Sequence, residues 1–424
     1  MQFLKPRVLL LITIAAHITV RTAVAQGSSA ASDRIISHIS FLADDAREGR
    51  GVGTTGLEDA AEYIAERFAE IGLQGGTADG FLQRFVISPT APAAAHTGIG
   101  GVAVSNVVAI IPGRGSLRGQ AVVVGAHYDH LGYGGFGSLD PDSVRVIHNG
   151  ADDNASGTAA LIEVARQIQA RDGERVRSVV FVAFTAEEAG LIGSDYYVKN
   201  PIVPNDSTFA MLNMDMVGYL TDDRLTAFGA ETAEEFSSLL ESINVDYRFR
   251  ISAIGDGYGR SDQQSFFVQK IPVLHFFTGT HENYHRTTDD ADLINADGIA
   301  RVASLVADLT WNLATRTEPL TFVDAAPPQV ATSGGYGAYL GTIPDMSDSP
   351  GGVRLTGVRS GSPADQAGIR AGDIIIQIAT FEVADLYAMT DALRALEPGD
   401  TVAIKVRRGD EVIEVEATLG RRGG

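Results

Sequence analysis

Four stretches of this chain are apolar at nearly every position, and each ends abruptly in polar residues. They are Ala121–Ala126, Ser178–Thr185, the FAMLNM run before Asp215, and the IPVLHFF run before the loop that holds His285. Apolar runs without alternation fit strands buried on both faces. Val107–Ile111 reads as a further strand. Other stretches carry helical apolar spacing: Ala31–Leu42, Leu57–Ile71, Thr158–Gln169, Glu234–Ile243 and Ile299–Leu313. Strands alternating with helices predict an α/β domain, with a mixed, mainly parallel sheet sandwiched by helices.

The pattern breaks at Pro319. The stretch PLTFVDAAPPQVATSGG, 319–335, reads as a linker. Beyond it the chain predicts short strands at Thr401–Arg407 and Glu411–Leu419 and a helix at Asp385–Leu396. At the other end, Lys5 and Arg7 precede the apolar run Val8–Ala16, and Ala23-Val24-Ala25 forms an A-x-A cleavage site. This is the layout of a secretory signal peptide. The apolar run is too short to span a bilayer, and His17 and Arg21 follow it closely, so no stable membrane anchor is expected. The expected organisation is a signal peptide at 1–25, an α/β domain at 26–318, a linker at 319–335 and a β-rich module at 336–424. The protein would be exported to the periplasm or the medium.

Composition narrows the chemistry. The formal charge is −20 over 424 residues. Cleavage after Ala25 would remove Lys5, Arg7 and Arg21 and no acid, which gives −23. Phosphate binding needs clustered Lys and Arg, so nucleic acid is not an expected partner. The chain has no Cys, which excludes disulfides, thiolate–zinc sites and thiol catalysis. No G-x-S-x-G elbow appears for a serine nucleophile. GYGGFG, Gly132–Gly137, lacks the Lys-Ser/Thr pair of a phosphate loop and reads as a loop beside the site.

Ligand-type residues gather where the apolar strands stop. His127 and Asp129 follow the first run, and HNGADDNASG brings Asp152 and Asp153. Glu187 and Glu188 follow the second run, Asp215 the third, and His285 the fourth. Open α/β sheets place their sites at the carboxyl ends of their strands. His nitrogen and carboxylate oxygen suit zinc, and two zinc ions about 3.5–4 Å apart make the clamp of hydrolytic two-metal sites. Adjacent acids such as Glu187 and Glu188 need cations nearby or separate tasks, because like charges repel. His38, His96 and His275 read as structural. His130, His148 and His281 lie close enough in sequence to line the site.

These motifs, in this order, resemble the co-catalytic two-zinc aminopeptidases of the bacterial leucyl aminopeptidase type, relatives of glutamate carboxypeptidase and glutaminyl cyclase. The resemblance covers about Ala31–Thr315 and implies the zinc exopeptidase fold. It implies that His127 and Asp215 hold one zinc, that Glu188 and His285 hold the other, and that Asp152 bridges them. Glu187 would be the general base. Tyr258, three residues before Ser261-Asp262, would hydrogen-bond the oxyanion. Asp129 and Asp153 would support the ligands from behind, and Asp289 or Asp290 would orient His285. The family often has His where this chain has Gln263. The implied reaction is removal of N-terminal residues from peptides. Carboxypeptidase action, a glutaminyl cyclase with one zinc, and a non-catalytic scaffold are the alternatives. Separately, GVRLTGVRSGSPADQAGIRAGDIIIQI resembles the PDZ domains of bacterial proteases. There Tyr339-Leu340-Gly341-Thr342 would be the loop that holds a peptide C-terminus, and Pro344 would interrupt strand addition.

Overall fold

The computed structural model describes residues 30–421 apart from 92–97, 136, 141–144, 174, 260, 325–337, 345–350 and 385. The expected signal peptide and His96 lie outside the described residues. The apolar runs become the middle of a nine-stranded sheet. Its strands are β1 (Gln74–Gly75), β2 (Leu82–Val86), β3 (Ala103–Ile111), β4 (Ala121–His127) and β5 (Ser178–Phe184), then β6 (Thr208–Met214), β7 (Arg224–Phe228), β8 (Arg250–Ile254) and β9 (Val273–Phe277). The order across the sheet is β1-β3-β5-β4-β6-β9-β7-β8, with β2 also paired to β3. β5, β4, β6 and β9 run parallel, and β3 and β7 flank them antiparallel. Every residue of β4 and β5 is buried, which is why their sequences do not alternate.

Helices cover both faces. Helix α1 (30–42), α2 (Thr55–Ile71), α3 (Gly157–Ala170) and α7 (Ala296–Thr315) pack their apolar stripes on one side. The short helices α4 (Ile192–Lys199) and α6 (Gln263–Phe267) cover the other side through Tyr197, Phe266 and Phe267. Helix α5 (Phe236–Tyr247) packs through Phe236 and Leu240. Helix α2 starts where the Thr54 hydroxyl accepts the Leu57 N–H at 3.2 Å, and ends at left-handed Gly72. Its Phe68 meets Phe181 of β5 with ring centroids 6.3 Å apart, both fully buried. Truncating such a ring to Ala costs roughly 3–5 kcal/mol. Arg34 ties α1 to α3 through the buried Glu163, at 3.1 Å.

The larger domain extends past residue 318. Leu320 packs on its core, the Val323 N–H donates to Thr232, and Phe322 pairs with Ala233 and lies 5.6 Å from the Phe267 ring. The start of the expected linker is thus a docked strap, because Leu320 and Phe322 are apolar and find cover there. The rest of that linker, 325–335, lies outside the described residues.

The C-terminal domain has its own core, including Leu340, Leu355, Ile375, Ile404 and Val406. Its six-stranded sheet comprises β11 (Thr342–Pro344), β12 (Val353–Val358), β13 (Ile374–Ile378), β14 (Phe381–Glu382), β15 (Thr401–Arg408) and β16 (Glu411–Thr418). β10 (Ala338–Tyr339) pairs separately with β17 (Gly420–Arg421). The 339–342 loop joins β10 to β11. Gly341 there has φ +84, and a Cβ on it would sit 2.2 Å from the Ser362 Cβ, so only glycine fits. β11 is an edge strand, and Pro344 sits at its end beside an irregularity in register.

Candidate metal centre

His127 is the last residue of β4, Asp215 follows β6 directly, and Glu187 and Glu188 lie just beyond β5. All sit at the carboxyl edge of the parallel strands. Asp152 and Asp153 lie in the turn 151–156 that leads into α3. The backbone bends sharply here. Ala186, Met216 and His285 all take left-handed φ values, 54°, 52° and 55°. Such conformations cost about 1–3 kcal/mol each in non-glycine residues and cluster at functional sites.

The centre of the site is Asp153. Its Oδ1 lies 3.3 Å from the Nε2 of His127, and its Oδ2 lies 3.1 Å from the Nε2 of His285. Each imidazole has a second carboxylate of its own. Asp215 lies 3.3 Å from His127, and Glu188 lies 3.2 Å from His285. His130 adds a further nitrogen, with its Nδ1 2.7 Å from Glu188. Two groups, His127–Asp153–Asp215 and His130–Asp153–Glu188, each bring their ligand atoms within 4.8 Å of one another. The two groups share Asp153.

This corrects the expectation for Asp152. Its carboxylate turns away from the imidazole pair. Oδ1 accepts the Gly218 N–H at 2.6 Å and the Ser156 hydroxyl at 3.0 Å, and Oδ2 lies 3.0 Å from His281. The His281 ring stacks on Tyr219 at 3.6 Å. Within this turn the two adjacent side chains point in different directions, and Asp153 is the one that faces the cluster. Asp153 is therefore central rather than a residue behind the ligands.

The surrounding residues hold this arrangement. The Asp129 carboxylate accepts the N–H of Glu187 at 3.0 Å and of Glu188 at 3.3 Å, and stands 3.7 Å behind His127 Nδ1. Asp289 does not touch His285; it accepts the N–H groups of Asp152 and Asp153 at 3.0 and 3.1 Å. Asp290 accepts from Asn149. The Gly137 carbonyl orients His285, 2.8 Å from its Nδ1. His148 is held by Val146 and Ser138, and His275 lies buried in β9. The sequence offered no sign of Arg50. It is fully buried, and its guanidinium donates to the carbonyls of Tyr128, Leu42, Asn149 and Gly150 at 2.6–2.8 Å. It thus joins the end of α1 to the two loops that carry His127 and Asp153.

Tyr258 lies between β8 and α6. It is half-buried, 4.8 Å from the Phe267 ring, and the guanidinium of Arg359 from the C-terminal domain lies 4.5 Å over its face. Arg359 also comes within 4.0 Å of Asp256, and its N–H donates to Gly341. Burial and the charge of Asp324 push the Tyr258 hydroxyl up to about 12. Tyr284 is the tyrosine beside the acids. Its ring stacks on His285 at 3.9 Å, and burial with Asp153, Glu188, Glu187 and Asp215 raises its hydroxyl above the usual range. Its position next to His285 in the chain was the available signal.

The electrostatics fit a cation. Burial alone would lower His127 and His285, but the acids around them reverse this. Asp215 and Glu187 lift His127 well above its ordinary value, and Asp153 and Glu188 lift His285 to about 11. Burial works to raise Asp153, yet hydrogen bonds to both imidazoles leave it well below the carboxylate range. Glu187 differs from these: burial holds its carboxyl well above the usual value, and Glu188, Asp215 and Asp262 add to this despite His127. Two imidazoles and three carboxylates that stabilise positive charge between them match the donors zinc prefers.

Comparison with known proteins agrees with this geometry. Residues 106–310 match Peptidase family M28, and residues 338–419 match the PDZ domain family. Over its larger domain the chain is thus similar to family M28 peptidases, and over its smaller domain to PDZ domains. Among curated proteins, the chain is 29% identical over 227 residues to Leucine aminopeptidase 1 of Uncinocarpus reesii, a match that covers 49% of this chain and 54% of that protein. It is 25% identical over 304 residues to Leupeptin-inactivating enzyme 1 of Streptomyces exfoliatus, covering 66% and 61%. The chain spans about half the length of the curated leucine aminopeptidases it matches. A Zn-dependent exopeptidase of Parabacteroides distasonis superposes with a TM-score of 0.55 at 21% identity, covering 66% of this chain and 98% of that one. The LapA aminopeptidase of Legionella pneumophila gives 0.52 at 22%, covering 69% and 76%. The larger domain therefore has the zinc exopeptidase fold. Among the described residues, no helix is long and apolar enough to cross a membrane.

Proposed function

We propose that this protein is an exported, two-zinc aminopeptidase. The observation that carries the reading is Asp153 between His127 and His285, each with a further carboxylate. His127 and Asp215 would hold one zinc, Glu188 and His285 the other, and Asp153 both. Bound zinc would polarise the scissile carbonyl and lower the pKa of water at the site. Glu187, buried and kept ready to hold a proton, would take one from the attacking water and pass it to the leaving amine. Tyr284, stacked on His285, would donate a hydrogen bond to the developing oxyanion. Asp129 and Asp289 would hold the ligand loops through backbone N–H groups. The PDZ domain would bind a peptide C-terminus along the open edge of β11, at the Tyr339–Thr342 loop.

The test compares aminoacyl amides with N-acetylated peptides on the full chain, together with metal analysis. The expected result is about two zinc equivalents and hydrolysis of the free-amine substrates alone. Cleavage of blocked peptides from the carboxyl end, or full activity with one equivalent, would overturn it. Export is checked by sequencing the mature N-terminus, expected at Gln26.

A further inference from the structure

Next to Glu188 the chain forms a cavity of about 340 Å³ whose walls include Val52, Ile99, Leu131, Tyr133 and Ala189. One wall is bare backbone. A Cβ on Gly51 would come within 2.7 Å of the Gly132 Cα, and one on Gly132 within 2.9 Å of the Gly51 Cα. The Gly-rich loop before α2 and the loop after β4 therefore press directly on each other, and the space left beside them has an apolar side, with Thr54, His130 and Glu188 on its polar side. His130 borders the same cavity, and its buried Nε2 has no hydrogen-bond partner among the described residues.

We propose that this cavity is a specificity pocket for the residue that follows the scissile bond, and that it selects an aliphatic or aromatic side chain there. The inference rests on the peptidase reading above. The direction follows from the chemistry. The base hands its proton to the leaving amine, so the leaving residue must extend on the side of Glu187. Glu187, Glu188 and Ala189 are consecutive, and the last two line the cavity. Its apolar walls are Val52, Ile99, Leu131 and Ala189, and no lysine or arginine lines it to hold an acidic side chain. Ordinary apolar complementarity then sets the preference.

Two substrate series on the zinc-loaded full chain test this. Leu-Leu, Leu-Phe, Leu-Gly and Leu-Ser vary the second residue, and leucinamide, phenylalaninamide and glycinamide vary the first. The expected kcat/KM for Leu-Leu exceeds that for Leu-Gly by about 10–100-fold, the usual scale for an apolar pocket. Val52→Asp, which adds charge, and Val52→Trp, which fills the space, should each bring that ratio below about threefold. Thermal melting and zinc content show that each variant is folded and loaded. Equal rates for Leu-Leu and Leu-Gly in the unaltered protein would overturn the assignment. So would variants that change selection among the amides rather than the dipeptides, because the pocket would then hold the first residue. If no amide were cleaved at all, the peptidase reading itself would fall, and this inference with it.

Discussion

Exchanging each of the two adjacent acids separately tests the arrangement of the site most directly. Asp153→Asn removes a carboxylate that faces His127 at 3.3 Å and His285 at 3.1 Å. At such distances a unit charge pair is worth ~5 kcal/mol at an effective dielectric of about 20. If half of that survives the cost of desolvation, each metal position loses affinity by ~100-fold, and both lose it together. Asp152→Asn is milder. The amide oxygen can still accept from Gly218 and Ser156, and only the contact with His281 is lost. A partner outside the ligand set typically changes metal affinity by about 10–100-fold, and here the low end is expected. The assay is zinc content after equilibration against a zinc-buffered chelator series, with thermal melting to confirm folding. Asp152→Asn should keep about two equivalents at zinc levels where Asp153→Asn holds fewer than one. The reverse order, with Asp152→Asn emptied and Asp153→Asn fully loaded, would refute the bridging role of Asp153.

Glu187→Gln should keep both metals and lower turnover by about 10²–10⁴-fold; loss of metal instead would make it a ligand. Tyr284→Phe should cut turnover by roughly 10²–10³-fold with little change in KM, while Tyr258→Phe costs less than about tenfold; steady-state kinetics would expose the opposite ranking. His38, hydrogen-bonded to Tyr63 at 2.8 Å, has its pKa lowered by burial to about 4 from 6.5. The folded state thus disfavours the proton, so its contribution is complete above pH 6.5 and is lost as pH falls toward 4. That loss is on the order of 3 kcal/mol. His38→Gln should flatten the fall of melting temperature between pH 6.5 and 4, and an unchanged slope would contradict this.

The strands were legible because burial on both faces leaves β4, β5, β6 and β9 almost wholly apolar. The ligand types were legible because each strand ends in them. Which of Asp152 and Asp153 faces the imidazoles was not, since that depends on local rotation within the turn 151–156. Resemblance pointed to Tyr258, whose ring packs on Phe267 and Arg359, while nothing but its place next to His285 pointed to Tyr284, which lies among the acids. Arg50 left no trace in the sequence because its partners are backbone carbonyls, which any residue supplies. The strap at Leu320 and Phe322 was hidden by its neighbours, a Pro- and Ala-rich stretch that reads as a spacer.

Arg50 also sets how small a working version of this protein can be. The matched peptidase segment begins at residue 106, downstream of Arg50 by more than a β-hairpin's length of chain. A fragment cut to that segment would keep every ligand, yet the carbonyls of Tyr128, Asn149 and Gly150 would face inward with no donor. Each such orphan costs roughly 1–3 kcal/mol, comparable in sum to a large share of a domain's whole stability. The opening helices are thus part of the smallest autonomous unit. A shortened or grafted catalyst would need to carry the chain from about residue 30, or supply a different buried cation in the same place.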